Sequence, residues 1–258
     1  MKKDFRLVGV LHLPPLPGVA NYRRFDFSQI SEIFAKNAKT LENAGFTHIM
    51  IQDGNDNPQP IKANIATIAA LTRIGIKVRE SIAIPLGVII GHNDGAASVA
   101  IAHAIQAQFV RIKVLTGVSI GPTGLIEGCA LEVAQIKREL DAEIEVWADV
   151  HEATSRVIVG DIAWAANEAV VFGGADKLIV TRDSGVTDAL MDIAKLRIEI
   201  GDQYPVLVGG RVSLATIRDV ISGSDGAIIG SALQDSDKSN LRIDEAKAQA
   251  FGMALTSD

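Results

Sequence analysis

The chain has 258 residues, 48% hydrophobic and 22% charged, and a formal net charge of −6. That acidic balance argues against a nucleic-acid footprint and against attraction to an anionic membrane surface. The single cysteine, Cys129, excludes an internal disulfide and fits a reducing, cytoplasmic setting, and no apolar run reaches the roughly 18 residues of a spanning helix.

Met1-Lys2-Lys3 is like the start of an export signal, but Asp4, Arg6, Pro14, Pro15 and Pro17 interrupt it, so none is read. Aromatic residues make up only 5%, so the core must come from Ile, Val, Leu and Ala. Arg6–His12 is a nearly unbroken apolar run, the mark of a strand covered on both faces. The prolines after it stop any helix. A helix follows over Ser28–Ala44, with Ser28 as cap, an apolar stripe at Ile30, Ile33, Phe34 and Leu41, and Gly45 as its stop. The second strand, Phe46–Ile51, runs into a polar loop to Pro60, and a second helix is expected over Ile61–Gly75. Strand Pro85–Ile90, helix Ala96–Ala107 and strand Phe109–Val114 come next, then a glycine-rich loop, Leu115–Leu125. Helix Glu127–Leu140, strand Ile144–Val150, helix Asp161–Phe172, strand Lys177–Val180 and helix Asp188–Ile200 continue the alternation. Val206–Val208, a short helix from Ser213, Ala227–Ile229 and a closing helix, Asp244–Ala254, complete it.

Strict strand–helix alternation implies parallel strands joined by right-handed crossovers. The even repeat of units and the length favour a closed (β/α)₈ TIM barrel, one domain over residues 1–258, over an open doubly wound sheet.

In such a barrel the chemistry sits at the C-terminal ends of the strands. Those ends are polar here: His12, Gln52 and Asp53, Asn93 and Asp94, Arg111 and Lys113, Asp149 and His151, Arg182 and Asp183. Period two puts Arg111 and Lys113 on one face of a strand, and Glu145, Trp147 and Asp149 on one face of its neighbour. Cations aimed into a barrel need carboxylates or an anionic ligand. Arg111 suits an ion network or an acidic substrate group. Lys113 suits anion binding, proton donation or Schiff-base chemistry. Asp149 and His151 form a candidate acid/base pair or two ligands for a divalent metal, and His12 holds a similar strand-end position. The acidic loop from Asp53 reads mainly as turn chemistry. Cys129 reads as a packing residue. Gly209-Gly210 and Gly230-Ser231 follow the last two strands, the usual phosphate position of this fold, where backbone N–H groups can surround an anion.

Leu11–Gly18, Gly87–Asp94, Val110–Gly117, Gly124–Gly128, Ala148–His151 and Asp225–Ser231 together resemble the BtpA/SgcQ family across nearly the whole chain. The resemblance implies a barrel of the ribulose-phosphate-binding type. Members of that family are often labelled phosphoribosylanthranilate isomerase-like, cyanobacterial members are tied to photosystem I accumulation, and others sit with sugar phosphotransferase genes. His12, Asn93, Asp94, Arg111, Asp149, His151, Gly209, Gly230 and Ser231 match its pattern. The chain departs at Glu152-Ala-Thr, where the family commonly has a lysine, and at Ser184-Gly185, Gly210-Arg211 and Gln234. Arg211 offers replacement charge.

The expected function is isomerase or lyase chemistry on a phosphorylated sugar or phosphoribosyl-type compound. Asp149, His151, Lys113, Arg111 and His12 are its catalytic candidates. Gly209, Gly210, Arg211, Gly230, Ser231, Asn93, Asp94 and Asp53 are its binding candidates. No organic cofactor motif is present, and a divalent metal stays open through Asp149, His151 or Asp53. The expected partners are a phosphorylated small molecule and further copies of the chain. The competing expectation is a non-catalytic assembly or stability factor, as in photosystem I biogenesis, using the barrel as a platform.

Overall fold

The computed structural model describes residues 4–151, 153–158, 160–237 and 240–256, so Met1 to Lys3 and Glu152 lie outside the described residues. In chain order the strands are β1 (Arg6–His12), β2 (His48–Gln52), β3 (Leu86–Ile89), β4 (Phe109–Ile112), β5 (Val118–Gly121), β6 (Gly124–Glu127), β7 (Glu145–His151), β8 (Arg156–Val157), β9 (Lys177–Val180), β10 (Val206–Gly209) and β11 (Gly226–Ile229). Eight of them close a parallel barrel, β1-β2-β3-β4-β7-β9-β10-β11, with β11 hydrogen-bonded back to β1. The helices α1 (Phe27–Asn43), α2 (Ile65–Ser81), α3 (Gly95–Ala104), α4 (Ala130–Glu139), α5 (Ile162–Val171), α6 (Val186–Ile200), α7 (Ile217–Gly223) and α8 (Glu245–Thr256) follow the barrel strands in turn. This is the TIM barrel expected from the alternation.

Strand alternation sorts the apolar residues into two cores. One set, including Leu7, Ile49, Val110, Ile112 and Val206, meets the helices. The other fills the lumen with Val8, Val10, Met50, Ile89, Phe109, Trp147, Ile179, Leu207 and Ile228. Phe109 and Trp147 stack there with ring centroids 3.9 Å apart. Gly87 makes room for them, because a Cβ at that position would lie 2.1 Å from the Phe109 ring. Below these apolar side chains the floor is polar. Lys177 meets Glu145 at 2.5 Å and lies over the Trp147 ring, whose Nε1 donates to the same carboxylate. His48 packs against both Phe109 and Trp147.

Several boundaries differ from the sequence reading, each for a local reason. The cap of α1 is Asp26, whose carboxylate accepts from the Ser28 and Gln29 amides, and not Ser28. Asn64 caps α2, so residues 61–64 precede the helix, which runs on past Gly75 to Ser81. Gly75 is a contact point rather than a stop, since a Cβ there would press on Ile105 and Ile51. Ser213 and Thr216 close a hydrogen-bonded turn ahead of α7. The largest difference is the segment expected as a glycine-rich loop. It folds into the β5–β6 hairpin, and β8 joins it to form an antiparallel sheet in the order β6-β5-β8.

Candidate active site

The inward positions at the C-terminal ends of the barrel strands carry the polar residues. Arg111 and Asp149 form a two-pronged ion pair, with Nε and one terminal nitrogen each donating to a different carboxylate oxygen at 2.8 Å. The Asp149 side chain is fully buried and that of Arg111 nearly so, which makes each dependent on the other. Glu145, on the same strand face, pairs with Lys177 at the opposite end of the lumen instead.

Lys113 is buried beside this pair and reaches the side-chain oxygen of Gln59 at 3.5 Å. The Gln59 amide donates to Asp53, whose other oxygen accepts from the Gly91 amide. Burial pushes the Asp53 carboxyl above its ordinary value, against the pull of those donors and of Lys113. Gln59 thus links an acid and a base, a role its place between two prolines did not reveal.

His151 lies past an irregularity between Asp149 and His151 in the β7–β9 pairing. The strict period-two argument therefore fails at that step, yet both residues line one cavity. Its Nδ1 lies 2.5 Å from the Thr181 carbonyl, and a carbonyl only accepts, so Nδ1 carries the proton and Nε2 is the basic atom of the neutral ring. Thr181 was missed by the sequence reading. Counting in twos from Lys177 through Ile179 places it inward. Its Oγ1 is buried with no hydrogen-bond partner among the described residues.

His12 sits between two glycines. A Cβ on Gly230 would lie 2.6 Å from its ring, and one on Gly54 2.8 Å. Burial, then the charge of Arg111, lowers its pKa to about 4, so it is neutral at pH 7. Gly209 likewise makes room, since a Cβ there would fall 2.2 Å from Thr181 Oγ1 and 3.5 Å from an Arg111 nitrogen. Packing alone thus accounts for glycine at both 209 and 230. Gly210 adopts a left-handed φ of 69°, and its amide is 3.4 Å from the Ile228 carbonyl. Arg211 and Ser231 are exposed beyond these turns.

Other strand-end candidates are engaged in scaffolding. Asn93 grips the backbone of Val114 and Glu127. Asp94 caps α3 and accepts from the Ala63 amide. Arg182 pairs with Asp192 on α6, and Asp183 with Arg156, so neither turns into the basin. Burial raises the Cys129 thiol to about 11, and its sulfur fits against Gly95 as a packing group.

Two cavities open from the mouth. One, of about 210 Å³, lies under the small sheet and is lined by Lys113, Asp149, His151, Ser155, Val157 and Trp164. The other, of about 380 Å³, lies by the proline segment, with His12, Asn55, Gln234, Leu241 and Arg242 in its wall. The BtpA family profile matches residues 3–257. The chain belongs to the BtpA family. An uncharacterized protein of Methanocaldococcus jannaschii is 36% identical over 96% of this chain and 94% of its own length. The photosystem I biogenesis protein BtpA of Synechocystis is 28% identical over 96% of this chain and 87% of its own. Among solved structures, tryptophan synthase of Mycobacterium tuberculosis superposes with a TM-score of 0.64 at 15% identity, covering 100% of this chain and 95% of that one. A monomeric form of phosphoribosylanthranilate isomerase from Thermotoga maritima gives 0.58 at 9% identity, covering 98% and 100%. At such identities the likeness is one of fold, and it agrees with the (β/α)₈ barrel of this BtpA-family chain.

Proposed function

We propose that this BtpA-family barrel is an enzyme that isomerises or cleaves a phosphorylated sugar or phosphoribosyl-type compound. The observation that carries the reading is the meeting of Lys113, Asp149 and His151 on one cavity at the C-terminal mouth, backed by the buried Arg111. His151 Nε2 is the base. Lys113 stabilises developing negative charge or donates a proton, and Asp149 holds Arg111 in place. His12, kept neutral, donates a hydrogen bond rather than a charge. The phosphate is assigned to the turns after β10 and β11, at Gly210, Arg211, Gly230 and Ser231, where this fold commonly binds one. A divalent metal fits poorly: Asp149 is taken by Arg111, and Asp53 by Gly91 and Gln59. Among the described residues no three His, Cys, Asp or Glu side chains form a metal-holding group.

A second reading, a platform for protein assembly, is favoured by the Synechocystis relative's name and by Ile120 and Leu125. These two face each other across the β5–β6 hairpin and are 50% and 60% exposed. Among the described residues no helix is long and apolar enough to cross a membrane.

The test is a thermal-shift series with inorganic phosphate, pentose phosphates and phosphoribosyl compounds. A ligand at 100 times its dissociation constant adds about 2.7 kcal/mol to stability. The enzyme reading expects a shift of several degrees from one phosphorylated class, absent in Gly230→Val. No shift from any phosphorylated compound would favour the platform.

A further inference from the structure

The geometry points to a second binding site, in the cavity beside the proline segment, for a small acid with a compact apolar body. The site stands apart from the chemistry at Lys113, Asp149 and His151 and does not depend on which reaction those residues perform.

His12 belongs to this cavity. It lines the space of about 380 Å³ and not the one that holds Lys113, Asp149 and His151. Among the described residues its ring makes no hydrogen bond, and neither does the side-chain amide of Gln234 in the same wall. Asn37 and Asn55 also line the cavity, but their amides are spent on backbone, Asn37 on Leu241 and Ile243 and Asn55 on Leu13. Most of the remaining wall is apolar, with Pro14, Pro15, Phe34 and Ile243. Among the described residues no hydroxyl, carboxylate or lysine side chain lines it. A polyhydroxylated body would therefore give up water at more hydroxyls than the wall can partner, while an apolar body gives up nothing.

Charge sets the head group. Arg242 is exposed in the wall and makes no ion pair among the described residues. The acids beside it in the chain are engaged elsewhere. Asp235 accepts from the Asp237 amide and the Ser236 hydroxyl, and Asp244 accepts from the Lys247 amide and pairs with its ammonium. A positive field also reaches the inner wall, because burial and then the charge of Arg111 hold His12 neutral. A cation has no partner in such a wall. An acid finds a guanidinium at the exposed edge, where its charge stays in water.

The wall is also held under strain. Leu241 adopts a left-handed φ of 57°, unfavourable for a bulky side chain. Buried Asn37, on α1, fixes it there by donating to the Leu241 carbonyl at 2.7 Å and accepting from the Ile243 amide at 3.2 Å. Arg242 is thus set between two anchored neighbours, and strain kept in place by such a clamp clusters at ligand sites. Size agrees with one ring and its acid group, since a cavity of about 150 Å³ already accepts benzene.

The experiment is an NMR titration of the whole chain with cyclohexanecarboxylate, cyclohexylmethanol, cyclohexylmethylamine and gluconate, reading the His12 imidazole and the Trp164 indole. The carboxylate is expected to bind about tenfold or more tightly than the other three, the range that a hydrogen bond to a charged group supplies. It should move the His12 signals and leave Trp164, in the wall of the other cavity, unchanged. Arg242→Gln should bring the carboxylate down to the level of the alcohol, and Arg242→Lys should keep most of the preference. Binding of the amine or of gluconate as tight as that of the carboxylate overturns the site. So does a preference that survives Arg242→Gln, a shift at Trp164 in place of His12, or no binding of any probe. Arg242 takes no part in the turns assigned to the phosphate, so this site can fail while the enzyme reading stands.

Discussion

The Arg111–Asp149 pair shows how little freedom a single buried charge has. Both carboxylate oxygens and two guanidinium nitrogens are used up in it, away from bulk water. Asp149→Ala would take the two-pronged carboxylate away from a buried guanidinium, and should cost about 3–5 kcal/mol in denaturant unfolding. The double variant Arg111→Met with Asp149→Leu should recover most of that loss, because it removes the stranded charge while keeping the volume. Thr181 is the opposite case. Its hydroxyl is buried without a partner among the described residues, so Thr181→Val should raise the unfolding free energy by about 1 kcal/mol, the desolvation cost recovered. The same change should weaken binding of the mouth's ligand. A stability loss in Thr181→Val would show that the hydroxyl has a partner in solution.

At the scale of the element, the hairpin β5–β6 and the two-residue strand β8 enclose the cavity from above. Replacing residues 118–127 by a short Gly-Ser linker should leave the barrel folded, with a near-unchanged far-ultraviolet spectrum, and should weaken ligand binding at the mouth, because Val118 and Ser119 line its cavity. The barrel strands were legible because a strand covered on both faces must be an unbroken apolar run, as in Val206–Val208 and Ala227–Ile229. The face shared by Arg111 and Lys113 followed from the same period of two. The small sheet was not legible, because its pairing is between segments far apart in the chain: Ser119 meets Val157 and Ile120 meets Arg156. Three glycines in that segment, Gly117, Gly121 and Gly124, also carry the signature of a loop. The extent of α2 was hidden for a related reason, since Gly75 reads as a stop until Ile105 is seen to need its space. Gln59 joined the site only through the fold of the loop that carries it.

For the molecule as a whole, acid sensitivity follows from groups buried in unfavourable charge states. His12 and His48 both have pKa values lowered to about 4, mainly by burial. Between pH 6.5 and 4 the unfolded chain therefore binds protons at these sites that the folded chain does not, and their contribution to stability is lost as pH falls through that window. Asp56 works in the other direction. Burial raises its carboxyl to about 6, so its contribution is present at low pH and is lost as pH rises through 6. In urea titrations, His12→Asn should therefore lose about 1–2 kcal/mol less than the parent protein on going from pH 7 to pH 5. Asp56→Asn should make the acid loss steeper.

The two histidines also stand at opposite ends of the same lumen, His48 against the Phe109 and Trp147 rings at the floor and His12 against Gly230 at the mouth. The apolar side chains between them admit no charge and act as an insulating septum. The barrel therefore carries its own internal reference. A molecule that settles in the mouth changes the surroundings of His12 and leaves His48 as it was, whereas any general loosening of the fold disturbs both. Comparing the two imidazole titration curves by NMR separates occupancy from instability within one sample.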